Sequence, residues 1–223
     1  MDIQDMFGLP VGIHRMETLD CPKMIEFLDK QTLTGKEGIE GEYTLNQQIL
    51  EYNIFKEAKE EITRVTKLFA QEAVGHLIED ILIATSWANI SEDNRHVRPH
   101  SHCNSYLSGV FYLTDGANLN MFNPFKRTDM YMVNPAVAFQ PENKFTWQSI
   151  SITPEPGMLV MFPSGLTHSV DPAPTRRYSI AYNTVPKGVI GREAAFINIQ
   201  SVDNTANDES KAKVDPTKYW VGA

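Results

Sequence analysis

From residue 80 onward the chain is a succession of short runs rich in Val, Ile, Phe, Tyr, Trp and Thr: "DILIATSWANIS", "LSGVFYLTD", "NLNMFNP", "FTWQSISITP", "GMLVMFP" and "RRYSIAYNTV". Gly, Pro, Asn and Asp separate them. β-Branched and aromatic residues suit a pleated, half-buried surface, and the breakers between them supply turns. Strands this short and this closely spaced bury themselves only by folding back on one another. The pattern therefore predicts an antiparallel sandwich or barrel.

Ahead of that region the period is different, and the first 80 or so residues read as mostly helical. "CPKMIEFLDKQ" places Pro22 in a first helical turn, with Met24, Ile25 and Leu28 along one face. The polar, glycine-bearing "TLTGKEGIEGEYT" reads as a loop. Phe55, Ala58, Ile62, Val65, Phe69 and Ala73 then recur at steps of three and four, the apolar stripe of an amphipathic helix about 20 residues long. No repeat or linker divides the chain. One domain is expected over 1–223, with a helical part at 1–80, a β core at 81–200 and a polar tail at 201–223.

With 22% charged residues and a formal net charge of −8, the chain carries no general affinity for nucleic acid. Its apolar runs fall well short of the roughly 18 residues that suggest a membrane span. The N-terminus lacks the basic start of a secretory signal, and two cysteines, Cys21 and Cys103, do not make a disulfide framework. A soluble, cytoplasmic protein is expected.

Chemistry concentrates in "RPHSHCNSYLSGVFYL", where His96, His100 and His102 fall within seven residues. Residues two apart on a strand point the same way, so His100 and His102 can direct both imidazoles into one cavity. His168, in "GMLVMFPSGLTHSVDP", follows an apolar strand and a turn and supplies a third nitrogen. Nitrogen ligands suit iron, zinc, copper or nickel rather than magnesium or calcium. Taken singly, each histidine reads more simply as a hydrogen-bonded structural residue. The pair, the spaced third member and an arginine nine residues beyond it favour a metal site. That arginine, Arg177, alternates with Tyr178 and Ser179, so guanidinium and hydroxyl share a strand face as a carboxylate receptor. Arg176 reads as a surface ion pair. His14 and His76 read as structural, His96 as a residue of the rim, and Asn89 as able to line the pocket.

His100-Ser-His102, Val110-Phe-Tyr112-Leu113, His168 and Arg177-Tyr-Ser179, in this order and spacing, resemble the iron(II)/2-oxoglutarate-dependent oxygenases. The nearest likeness is to the prolyl-hydroxylase-like branch and its uncharacterised bacterial and phage members. "SWAN" at 86–89 is similar to the first core strand of that group, and the resemblance spans roughly residues 80–185. It implies a mainly β fold with flanking α-helices around a double-stranded β-helix, a jelly-roll, cupin-like core. It also implies iron(II) and 2-oxoglutarate as cofactors and dioxygen as co-substrate. Turnover would oxidise 2-oxoglutarate to succinate and carbon dioxide and hydroxylate a second substrate. Arg177, helped by Tyr112 or Ser179, would hold the far carboxylate of 2-oxoglutarate.

One position departs from the family pattern: His102 stands where the second ligand is normally a carboxylate. Three arrangements follow. His102 ligates in a three-histidine set; or an acid such as Asp171 or Asp115 supplies oxygen instead; or the site binds metal without turnover. The competing function is a cupin-like three-histidine metal-binding protein, or a dioxygenase that uses no 2-oxoglutarate. Residues 123–145, long, polar and proline-containing, are expected to form a lid over the mouth.

Overall fold

The computed structural model describes residues 8–35, 41–125, 147–191 and 195–202. The expected lid at 123–145 and the polar tail at 201–223 lie almost wholly outside these residues, and only their first few positions are described.

Among the described residues twelve strands form the frame: β1 (Gly12–Arg15), β2 (Leu33–Thr34), β3 (Glu42–Thr44), β4 (Asp80–Ser91), β5 (Arg95–His100), β6 (Leu107–Tyr112), β7 (Leu119–Phe122), β8 (Ser149–Ile152), β9 (Met158–Pro163), β10 (His168–Ala173), β11 (Arg177–Ile190) and β12 (Ile197–Ile199). An eight-stranded sheet runs β1-β9-β6-β11-β4-β3-β2, with β12 added to β11, and a second sheet runs β5-β10-β7-β8. All the pairings within named strands are antiparallel. This is the jelly-roll expected from the sequence.

Alternation along the large sheet separates two apolar clusters. Val110 and Tyr112 of β6, with Val160 and Phe162 of β9, join Leu119, Met121 and Leu166 in one cluster between the sheets. Their neighbours Leu107, Phe111, Leu159 and Met161, with Ile180 and Tyr182 of β11, point the other way into a larger cluster under the helices. Such two-sided burial explains why β6 and β9 read as unbroken apolar runs rather than alternating ones.

Helix α1 (Cys21–Leu28) starts where Asp20 caps the backbone N–H of Lys23 at 3.1 Å, with Pro22 in the first turn. Helix α2 (Lys56–Glu72) buries Ala58, Ile62, Val65, Phe69 and Ala70 against the sheet. The last residue of the expected stripe, Ala73, is the exposed C-cap. Strands also enter from the N-terminal part. β1 pairs with β9, and β3, in the stretch read as a loop, pairs with β4. These strands are two to four residues long, too short to show a period of two, and their pairing with distant edges stabilises them. No helix among the described residues is long and apolar enough to cross a membrane.

Candidate metal centre

The turn that sets up the site is legible in its backbone. Between β4 and β5, Asp93 (φ 53°) and Asn94 (φ 59°) both adopt left-handed conformations, which Asp and Asn tolerate, in a tight turn closed by the Arg95 N–H on the Glu92 carbonyl. The turn sends β5 into the small sheet, where the register sets His100 directly opposite His168 of β10. His102 is not on the strand as the sequence suggested; β5 ends at His100, and His102 sits in the loop beyond. Its backbone N–H donates to the Ser164 carbonyl at 2.9 Å, which ties that loop to the turn before β10.

The three imidazoles nevertheless converge: ligand atoms of His100, His102 and His168 all lie within 4.8 Å of one another. His100 Nε2 and His102 Nε2 are 3.2 Å apart, and the His100 and His168 ring centroids 4.3 Å. Every Nδ1 faces an acceptor. His100 Nδ1 is 2.9 Å from the Arg98 carbonyl, His168 Nδ1 is 2.9 Å from the Leu166 carbonyl, and His102 Nδ1 is 2.6 Å from Asn183 Oδ1. These partners place the proton on Nδ1 and leave each Nε2 lone pair directed at the shared space.

Protonation is disfavoured there. Burial, above the opposing Leu166 carbonyl, holds His168 down at about 4, and burial likewise lowers His102. His168 is only 3% exposed and packs on Phe162, with ring centroids 4.7 Å apart. Neutral nitrogen donors in a half-dry cleft are the chemistry of a site for a borderline divalent metal. Among the described residues no acid joins the group. Asp171 accepts from Asn120 Nδ2 at 2.6 Å, and Asp115 lies outside the cluster. The two carboxylates weighed as alternatives to His102 are therefore not part of the arrangement.

Arg177 opens β11 on the inner face, 2% exposed. Its Nη2 donates to Ser179 Oγ at 3.1 Å, and the guanidinium lies 5.6 Å from the centre of the Tyr112 ring. Register explains the grouping, since Ser179 of β11 pairs with Tyr112 of β6. Burial lowers the Arg177 pKa and pushes Tyr112 up to about 12. The guanidinium charge reaches the Tyr112 hydroxyl, but hydrogen-bond geometry between them is lacking: Arg177 Nε and Tyr112 Oη are both buried without a partner. Among the described residues no carboxylate pairs with Arg177, whereas Arg176 next to it pairs with Asp29 and Glu92 on the surface, as expected. A buried cation and a buried hydroxyl, each left unmatched, cost several kcal/mol on the order of magnitude of known cases, so the arrangement fits an anion.

The other sequence candidates stand apart. His96 is on β5 outside the cluster. His14 contacts Glu61 at 2.8 Å and His76 contacts Tyr106 at 2.8 Å, both structural roles. Asn89 accepts from Trp87 Nε1 at 3.2 Å, and Trp87 packs 5.9 Å from the His102 ring. Sequence reasoning missed Asn183, Ser108 and Ser164. Asn183 Oδ1 also accepts from Ser108 Oγ at 2.7 Å, and Ser108 and Ser164 hydroxyls are 2.7 Å apart. The available signal was period two along β11, which carries the inner face from Arg177 and Ser179 through Ala181 to Asn183.

Fold and site define a jelly-roll protein with three convergent imidazoles and, on its large sheet, a buried guanidinium that no carboxylate among the described residues pairs with. Residues 85–183 match the family described as "Putative 2OG-Fe(II) oxygenase". The structure is similar to a Pseudomonas putida prolyl-4-hydroxylase, with TM-score 0.55 and 17% identity over 81% of this chain and 94% of that one. It is also similar to HygX from Streptomyces hygroscopicus, solved with nickel, 2-oxoglutarate and hygromycin B bound, with TM-score 0.57 and 8% identity over 87% and 92%. A third likeness is to a Trichoplax adhaerens prolyl hydroxylase in complex with a hypoxia inducible factor peptide fragment, with TM-score 0.53 and 13% identity over 78% and 83%. At such identities these likenesses concern the fold. Comparison with curated proteins gave no match. The matched family is the one that the motifs in the sequence resemble.

Proposed function

We propose that this protein is an iron(II)/2-oxoglutarate-dependent dioxygenase acting as a hydroxylase. In this reading His100, His102 and His168 hold the iron, and Arg177, with Tyr112 and Ser179, binds the far carboxylate of 2-oxoglutarate. The carrying observation is the Arg177–Tyr112 pair left unmatched on the face of β11 and β6 whose Asn183 reaches His102. A guanidinium fork plus two hydroxyls fits a carboxylate, and nitrogen donors fit iron(II). Bound iron and 2-oxoglutarate supply oxygen activation coupled to decarboxylation of the oxoacid.

The chain's own residues supply placement. Arg177 fixes the oxoacid and Tyr112 donates to it. The carbonyls of Arg98 and Leu166 and the Asn183 amide fix the three imidazole tautomers. Val160, Phe162 and Met121 keep the floor dry. The cytoplasm is the proposed compartment, since Cys21 and Cys103 are both free thiols.

Adding 2-oxoglutarate to the iron(II) protein without oxygen should produce a visible charge-transfer band. Arg177→Ala should retain iron and weaken 2-oxoglutarate binding by about 100-fold or more, the usual cost of removing one partner of a buried charged contact. His168→Ala should lose the iron. A spectrum unchanged by 2-oxoglutarate rules the proposal out. The all-imidazole set favours a second reading, a three-histidine cupin-like protein that uses no oxoacid. His102→Asp separates the two, strengthening the iron–oxoglutarate band under the first and leaving it unchanged or weaker under the second.

A further inference from the structure

A cavity of about 470 Å³ opens beside the histidine cluster, walled by Trp87 and Asn183, which both contact His102. Its remaining polar and aromatic wall is Tyr43, Gln47, Thr85 and Asn104. No charged side chain among the described residues lines it. That volume lies within the range of small-molecule sites.

We infer that this cavity is the primary-substrate subsite and takes an uncharged ring bearing several hydroxyl groups, such as a sugar unit. The inference rests on the oxygenase reading above. Three observations carry it. First, the side chains that line the cavity among the described residues carry no charge, which favours a neutral compound. Second, Trp87 and Tyr43 line the cavity with aromatic rings, a surface on which the C–H face of a saturated ring packs. Third, the polar groups are side-chain amides and a hydroxyl, which donate and accept together, as ligand hydroxyls do. The Gln47 and Asn104 amides have no hydrogen-bond partner among the described residues, while Asn183 Nδ2 donates to Thr85 Oγ1 at 3.2 Å.

An extended peptide is the poorer occupant. Peptides commonly dock by adding to a free strand edge, yet at this wall β11 is paired with β4 and β6. The other edge of β4 pairs with β3 at Asn89 and Ile90, bridges to Gln48 at Ser86 and accepts from Gln48 Nε2 at the Ala84 carbonyl. The wall therefore presents side chains rather than unpaired backbone.

The test uses metal-free protein, with saturation-transfer NMR of glucose, N-acetylglucosamine, maltose, glucuronate and a neutral proline-containing tripeptide amide. At least one neutral sugar should bind, and glucuronate should bind more weakly than glucose. Gln47→Ala and Asn104→Ala should each weaken sugar binding by up to about tenfold, the worth of a hydrogen bond. Both positions are at least partly exposed, so circular dichroism should show both variants folded. Binding of the tripeptide alone, of no neutral sugar, or of sugar equally by wild type and both variants overturns the inference. The iron–oxoglutarate band of the same preparation is read separately. Band without sugar binding removes the substrate assignment and leaves the oxygenase reading; sugar binding without the band leaves a sugar site but removes the oxygenase reading and with it that site's role as the substrate subsite.

Discussion

At the scale of single residues, the site is a set of polar groups held in the state they need. His168, lowered to about 4 by burial, binds its proton more weakly in the folded chain than in the unfolded one, where 6.5 is usual. Between those values the unfolded chain holds a proton that the folded chain lacks, so stability is lost as pH falls from 6.5 towards 4. The effect amounts to at most about 3 kcal/mol. Urea midpoints of metal-free protein from pH 7.5 to 4.5 should fall accordingly, and His168→Gln should flatten the slope; equal slopes would refute the assignment. Asn183→Leu keeps the size of the side chain but removes the acceptor for His102 Nδ1. It should weaken metal binding by roughly 10- to 100-fold, the usual cost of losing such a partner, and isothermal titration with nickel would measure it. His100, His102, His168 and Arg177 were legible because each belongs to a spaced motif. Asn183 was not, because its role comes from a strand pairing that brings it to a loop residue 81 positions away.

At the scale of elements, the strands carry two cores, and the tightest joint between them and the helices is at β6. A Cβ on Gly109 would stand 2.6 Å from Tyr182 Cε1, whose ring crosses the strand there. Tyr182 Oη in turn meets Thr66 Oγ1 of α2 at 2.7 Å, so the crossing links β6, β11 and the helix. Gly109→Ala should therefore destabilise by about 1–3 kcal/mol through overpacking, read as a lower urea midpoint. Ile62→Ala on the buried face of α2 should cost about 2–5 kcal/mol by leaving a cavity. The stripe on α2 and the long strands showed in the sequence because burial repeats over several turns or pairs. The short strands β1, β2 and β3 did not, because contacts with strand edges far along the chain decide them.

At the scale of the whole molecule, one sheet carries His100 and His168 on β5 and β10, and the other carries Tyr112, Arg177 and Ser179, the proposed anion receptor, on β6 and β11. A ligand gripping both stabilises only the folded chain. Nickel at about 100 times its dissociation constant should add roughly 2.7 kcal/mol, and adding 2-oxoglutarate should add more. Scanning calorimetry with and without chelator measures this; a melting temperature indifferent to nickel would contradict the metal site. The sequence by itself determined the helices α1 and α2, the run of strands from residue 80 and the three spaced histidines that come together, since these depend on local period and residue chemistry. Only the tertiary structure decided that, among the described residues, no carboxylate joins the three imidazoles, that Arg177 Nε and Tyr112 Oη are left without a partner, and that the side chains lining the cavity by His102 carry no charge. Those are facts of distance and burial between residues far apart in the chain, and no local pattern encodes them.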